Sequence, residues 1–87
     1  MTELETLEAI RTDIVGELQA VSQYERHAAE TNNPKAKKLW QSIANEERIH
    51  TGELFALLFE LDPITLEKFK QGQNEANEMF QSMFYRR

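Results

Sequence analysis

Two long apolar stripes, each interrupted at mid-length by ionisable side chains, constrain this chain more than any other feature. The first runs Leu7, Ile10, Ile14, Glu17, Val21, Tyr24, Ala28; the second runs Ala36, Trp40, Ile43, Glu47, His50, Leu54, Leu57, Leu61. Alternating steps of three and four hold each set on one helix face, which must then meet a partner. A carboxylate or imidazole in the middle of such a face costs roughly several kcal/mol unless something neutralises it. A bound metal ion would do so.

With 87 residues the chain forms one small domain, 1–87, whose interior is thin if the chain stays alone. Domains of this size lean on disulfides, metals or partners. The absence of cysteine excludes disulfides, zinc–thiolate sites and iron–sulfur clusters, and leaves metal and oligomerisation. A net charge of −5 without any dense Lys/Arg cluster argues against nucleic-acid binding and suits attraction of cations. No apolar run approaches membrane-spanning length, and the Glu-containing N-terminus does not read as a signal peptide, so a cytoplasmic location is the default.

Three glycines and two prolines punctuate the sequence. Thr2 reads as an N-cap, with Glu3 and Glu5 placed to favour a helix N-terminus, and the first helix should cover about 3–30. Thr31-Asn32-Asn33-Pro34 supplies a short turn, Asn33 capping and Pro34 opening a second helix over about 34–61. Asp62-Pro63 repeats the signal and opens a third helix to about 84. Its looser stripe (Leu66, Phe69, Gln73, Ala76, Phe80, Met83) suggests packing outside the main hairpin. The expected class is all-α: an antiparallel two-helix hairpin with a C-terminal helix.

The short turn fixes the register of the hairpin. Glu17 lies sixteen residues before Asn33, and the position sixteen residues after it, Ile49, falls between Glu47 and His50. At about 1.5 Å of rise per residue the three unusual residues meet within roughly one helical turn. Glu47-Arg48-Ile49-His50 is a Glu-x-x-His motif, whose i,i+3 spacing places carboxylate and imidazole together. One chain offers too few donors for two metal ions. Two copies related by a two-fold axis supply the donor set of a carboxylate-bridged dimetal four-helix bundle, a Glu from each of two helices and Glu-x-x-His from each of the others. Mixed oxygen and nitrogen donors suit iron or manganese, and admit zinc or calcium.

The stretch from Glu17 to His50, with Glu17-Leu18-x-Ala20-Val21 leading to Tyr24 and ending Glu46-Glu47-x-x-His50, resembles the encapsulated ferritins, two-helix members of the ferritin-like superfamily. The resemblance covers about two-thirds of the chain. It implies a homodimer that completes a ferritin-like four-helix bundle, dimers commonly arranged in a ring of ten chains, and a ferroxidase centre between subunits holding two irons. By resemblance Glu17, Glu47 and His50 correspond to the ligands, and Tyr24 to a tyrosine beside them that could donate its hydroxyl to a ligand carboxylate. The family's better-known members also carry acidic residues just before and two positions after the first ligand, and a tryptophan six positions after it. Gly16, Gln19 and Gln23 stand there in this chain, so that acidic path for incoming metal is not expected. Relatives housed in an encapsulin shell, a further partner, carry a C-terminal docking tail; Gln81-Ser82-Met83-Phe84-Tyr85-Arg86-Arg87 shares only its basic finish and some apolar character.

The expected activity is oxidation of Fe(II) to Fe(III) by dioxygen, for iron storage or detoxification. The alternative is a dimer whose metal serves structure or sensing. A peroxide-reducing rubrerythrin is disfavoured by the lack of cysteine for a rubredoxin-type module. His27 falls off the stripe and reads as a solvated surface histidine, Glu46 and Glu53 read as solvent-facing, and Trp40 reads as core.

Overall fold

The structure, a computed structural model, describes residues 1–84; Tyr85, Arg86 and Arg87 of the tail considered above lie outside it. Three helices form, α1 (Glu3–Glu30), α2 (Pro34–Leu61) and α3 (Pro63–Phe84), with no strand among the described residues.

Side-chain capping explains where each helix starts. The Thr2 hydroxyl accepts from the Glu5 backbone N–H at 3.1 Å, and the Glu5 carboxylate accepts from the Thr2 N–H at 3.1 Å, a reciprocal box that satisfies two otherwise orphaned donors. The Thr2 backbone and then its hydroxyl hold the Glu5 carboxyl below the usual carboxylate value. Asn33 accepts from the N–H groups of Lys35 and Ala36, both at 3.0 Å, and Pro34 occupies the first helical position, where its missing N–H costs nothing. Thr31 closes α1 through an N–H bond to the His27 carbonyl and also accepts from the Asn33 N–H. The turn between the long helices is therefore three residues, tied down by its own side chains.

Both α1 and α2 are 28 residues long and pack antiparallel. On α1 the buried residues are Leu7, Ile10, Ile14, Val21 and Ala28, with Glu17 and Tyr24 half-buried, so the first stripe is the seam. The second stripe needs correction. On α2 the buried positions are Ala44, Thr51 and Leu58, while His50, Leu57 and Leu61 are exposed. Trp40, Glu47 and Leu54 belong to both rows and are half-buried. The seam on α2 is thus rotated by one residue from the most apolar reading. Ala44 and Thr51 are small, and small residues let the α1 backbone come close; bulkier Ile43 and Leu57 are displaced to a flank.

A contiguous apolar cluster lies at the end of the hairpin away from the turn, where Leu7, Ile10, Ile14 and Leu58 pack with Leu54 and Phe55, while Val21, Ala28 and Ala44 are buried nearer the turn outside that cluster. Among the described residues no large side chain is fully buried. α3 leaves this end through one residue, Asp62, and contacts α2 but not α1 along its length. Phe69 meets Phe55 and Phe59 at centroid distances of 6.2 and 5.6 Å. No residue of α3 is buried, and Phe80, Met83 and Phe84 lie open to solvent, so the helix does pack outside the hairpin.

The result is a sheet of helices measuring 53 × 44 × 13 Å, its thin dimension close to the ~10–12 Å diameter of one helix. Its accessible surface is 7125 Å². A compact monomer of 10.2 kDa exposes about 5,300 Å² by the usual scaling. No described helix is long and apolar enough to cross a membrane.

Candidate metal centre

Glu17, midway along α1, and Glu47 and His50, on the facing stretch of α2, converge. His50 Nδ1 lies 3.9 Å from Glu17 Oε2 and 3.9 Å from Glu47 Oε2. One donor atom from each residue falls within 4.8 Å of the other two. Two donors bound to one first-row ion at about 2.0–2.2 Å each are separated by roughly 3–4 Å, so the spacing suits a shared cation. Both 3.9 Å separations exceed hydrogen-bond length, so the imidazole does not satisfy either carboxylate.

The burial of the three is graded. The side chains of Glu47 and Glu17 are 20% and 27% exposed, whereas that of His50 is 47% exposed. Glu17 Oε2 is shielded from solvent and has no hydrogen-bond partner. A shielded, unpartnered carboxylate oxygen costs at least about 1–3 kcal/mol. A metal ion would supply the missing contact. The donor set of two carboxylates and one imidazole fits iron, manganese or zinc.

The two flanks of the seam differ at this level. Arg48 and His50 leave Glu47 in opposite directions round α2, at about +100° and −60°. On the Arg48 flank the guanidinium pairs with Glu25 of α1 at 2.8 Å. On the His50 flank a groove opens, lined by Asp13, Gly16, Glu17, Ala20, Glu47 and Leu54. The protein therefore pairs Glu25 with a guanidinium on one side and leaves two carboxylates facing only the His50 imidazole on the other. Thr51, buried between the helices, donates its hydroxyl to the Glu47 carbonyl at 2.8 Å and so makes no demand on the centre.

The remaining candidates divide. The half-buried Tyr24 lies on the seam two turns beyond Glu17, but its ring meets His27 edge-on at 6.4 Å, and among the described residues its hydroxyl bonds neither carboxylate. His27 is not a solvated surface residue: it is half-buried and packs against Trp40 at 5.1 Å. An off-stripe histidine near the end of a hairpin can still be covered by an aromatic from the facing helix, and no sequence spacing announced that pair. Glu46 and Glu53 are exposed as expected. Asp13, which the stripes did not single out, is the acidic residue that the groove adds.

Comparison with known proteins bears on the family and the fold. Residues 1–59 match the Rubrerythrin family. The chain is 36% identical over 78 residues, 90% of its length, to the ferritin-like–encapsulin shell fusion protein of Pyrococcus furiosus, and covers 23% of that protein. It is 38% identical over 63 residues to the encapsulin nanocompartment cargo protein EncC of Myxococcus xanthus, spanning 72% of this chain and 48% of that one. The chain thus spans less than half the length of either relative. Its fold superposes on the crystal structure of the encapsulated ferritin domain from Pyrococcus furiosus with a TM-score of 0.88 at 36% identity, covering 90% of this chain and 80% of that one. A three-helix chain with this hairpin, matched over so much of its length, belongs to the rubrerythrin family and, within it, to the encapsulated ferritins.

Proposed function

We propose that the protein is a ferroxidase whose Fe(II) substrate binds between two copies of the chain. The observation that carries the reading is the convergence of Glu17, Glu47 and His50 around a shielded, unpartnered carboxylate oxygen. In the working dimer Glu17, Glu47 and His50 of each chain would hold the two Fe(II) ions, the carboxylates as oxygen donors and His50 as a nitrogen donor. The three side chains bring two Fe(II) ions together, so that one dioxygen can take two electrons from neighbouring ions with two protons from solvent. Two Fe(III) and hydrogen peroxide result. Four anionic carboxylates per pair of ions favour the higher charge of Fe(III) and so assist the loss of an electron. Manganese, zinc or calcium would occupy the same donors without this turnover.

The thinness of the molecule supports the dimer. One layer of helices leaves both faces of the hairpin uncovered, and the surface exceeds that of a compact monomer by about 1,800 Å², more than the roughly 800 Å² that each partner buries in a standard interface. A two-fold mate on the His50 flank would cover Ile43, Leu57 and Leu61 and double the donor set. The exposed Phe80, Met83 and Phe84 of α3 then remain for contacts between dimers, in a ring of ten chains. An encapsulin shell in the cytoplasm is the proposed destination. Relatives named as encapsulin cargo or as a fusion to the shell support it more strongly than the C-terminal residues do.

A second reading, a dimer held by a metal that does no chemistry, is favoured by the incomplete core, since any ion that binds only the folded state stabilises it. Stopped-flow absorbance separates the two. Anaerobic protein loaded with Fe(II) and mixed with oxygenated buffer should give a fast Fe(III) signal saturating near one iron per chain, lost in Glu47→Ala and His50→Ala. A rate equal to the protein-free blank would reject the ferroxidase and leave the structural metal.

A further inference from the structure

On the flank opposite His50 the Arg48 guanidinium is held from two sides. Its Nη2 meets Glu25 Oε1 of α1 at 2.8 Å, and its Nη1 donates to Asn45 Oδ1 of the preceding turn at 2.9 Å. Among the described residues this is the shortest ionic contact between α1 and α2, closer than the 3.9 Å approach of His50 to Glu17. Toward the turn, the groove beside the pair is lined by Ala28, Ala29 and Ala44, side chains too short to interlock and fix how α2 is turned. A competing face exists on α2. Ile43, His50 and Leu57 form a more apolar row than the buried Ala44, Thr51 and Leu58, one residue or about 100° away. Arg48 stands about 60° from the buried row and about 160° from the competing one, so its pair with Glu25 needs the observed face inward.

We propose that Arg48 is a positioning residue: its pair with Glu25 selects which face of α2 meets α1, and so keeps His50 on the open flank beside Glu17 and Glu47. The proposal rests on the metal-centre reading above and adds a residue to it. With the competing row turned inward, His50 would point into the seam and Glu47 would pass to the opposite flank. Ile43 and Leu57 would then be covered within the chain and lost to a second copy. An exposed pair adds little to stability, because water and salt screen it; the side chains of Arg48 and Glu25 are 49% and 54% exposed. Its leverage lies in ruling out the alternative packing, as charges flanking a helical seam do.

Trp40 reports the inward face without any metal. It is the sole tryptophan and packs on His27 of α1 at 5.1 Å, and turning α2 by one residue would carry it across the seam, away from His27. In chelator, Arg48→Gln and Glu25→Gln should each shift the Trp40 emission maximum while helical circular dichroism stays unchanged. The exchanged double variant, Glu25→Arg with Arg48→Glu, should return the emission to that of wild type. Co(II) binding by the full chain, followed by visible absorption, should weaken about tenfold in each single variant, the lower end of what losing an outer partner of a metal ligand costs. The exchanged variant should recover both the affinity and the wild-type absorption bands. Lys38→Gln, a charge removed at an exposed position of α2 away from the pair, should leave both readouts unchanged. Wild-type emission in the single variants would overturn the proposal, as would an exchanged variant that behaves as the sum of the two. Shifted emission with unaltered Co(II) affinity would remove Arg48 from the centre, and loss of helical signal would make it a prop of the fold. If wild type binds no Co(II), the metal centre falls, and the emission in chelator still decides whether Arg48 selects the face.

Discussion

The hairpin seam has two unlike regions. At the end away from the turn, Leu7, Ile10, Ile14 and Leu58 close around one another within a single chain. About two turns along, at the level of Glu17, Glu47 and His50, the same seam is polar, partly open and unsatisfied. The apolar end completes itself because dispersion and hydrophobic burial need only close neighbours. The polar level does not, because its two carboxylates face only the His50 imidazole, which stands beyond hydrogen-bond reach of both. One region is built for folding, the other for a ligand at some expense to folding.

The largest effect expected from this contrast is at the apolar end. Leu58→Ala removes a side chain that is 3% exposed and should destabilise by about 2–5 kcal/mol in urea unfolding, with final Co(II) occupancy of the refolded protein unchanged. A matching loss of metal affinity would show that the two regions are one unit. Next in size is the response to metal. Divalent cation at one hundred times its Kd should raise stability by about 2.7 kcal/mol per site, and Glu47→Ala should abolish the rise. A melting temperature indifferent to metal would break the comparison. Smaller again is an opposite-signed change: in chelator, Glu17→Leu should stabilise by about 1–3 kcal/mol, because it replaces a shielded, unpartnered carboxylate oxygen with apolar surface. Destabilisation of metal-free protein by that change would mean that Glu17 is satisfied without a ligand.

Much of this contrast was legible in the sequence. The polar level could be read because three and four residue steps mark a face, and because counting outward from Asn33 matches Glu17 with Glu47 and His50. The caps at Thr2 and Asn33 were legible because the hydrogen bonds involved are local. The rotation of the α2 seam was not. Ile43–His50–Leu57 is the more hydrophobic row beside Glu47, but Ala44–Thr51–Leu58 is the one buried, since backbone approach rewards small side chains that a hydropathy pattern ranks low. The His27–Trp40 pair was hidden for a related reason: it depends on which rotamers meet across the turn end of the hairpin. Asp13 was hidden because a groove is formed by the absence of neighbouring side chains, and absences leave no periodic mark.

The smallest expected effect concerns how α3 is attached. Where the apolar end holds α1 to α2, a polar hinge joins α3. Asp62 closes α2 through its N–H to the Leu58 carbonyl, accepts from the Thr65 backbone and hydroxyl at the start of α3, and pairs with Arg11 of α1 at 3.3 Å. The Thr65 hydroxyl is the main cause that holds the Asp62 carboxyl below its usual value, with Arg11 adding to it. A carboxyl whose folded value is depressed contributes stability that is fully present above its unfolded value. That contribution is lost as pH falls through the folded one. The hinge is solvent-accessible, so the contribution is modest and screened by salt. Melting curves of wild type and Asp62→Asn should therefore differ most at neutral pH and converge as pH falls below about 4. Arg11→Gln should give a smaller change of the same sign. A difference that persists undiminished in acid would mean that Asp62 acts as a neutral cap, and that α3 is held by Phe55, Phe59 and Phe69 alone.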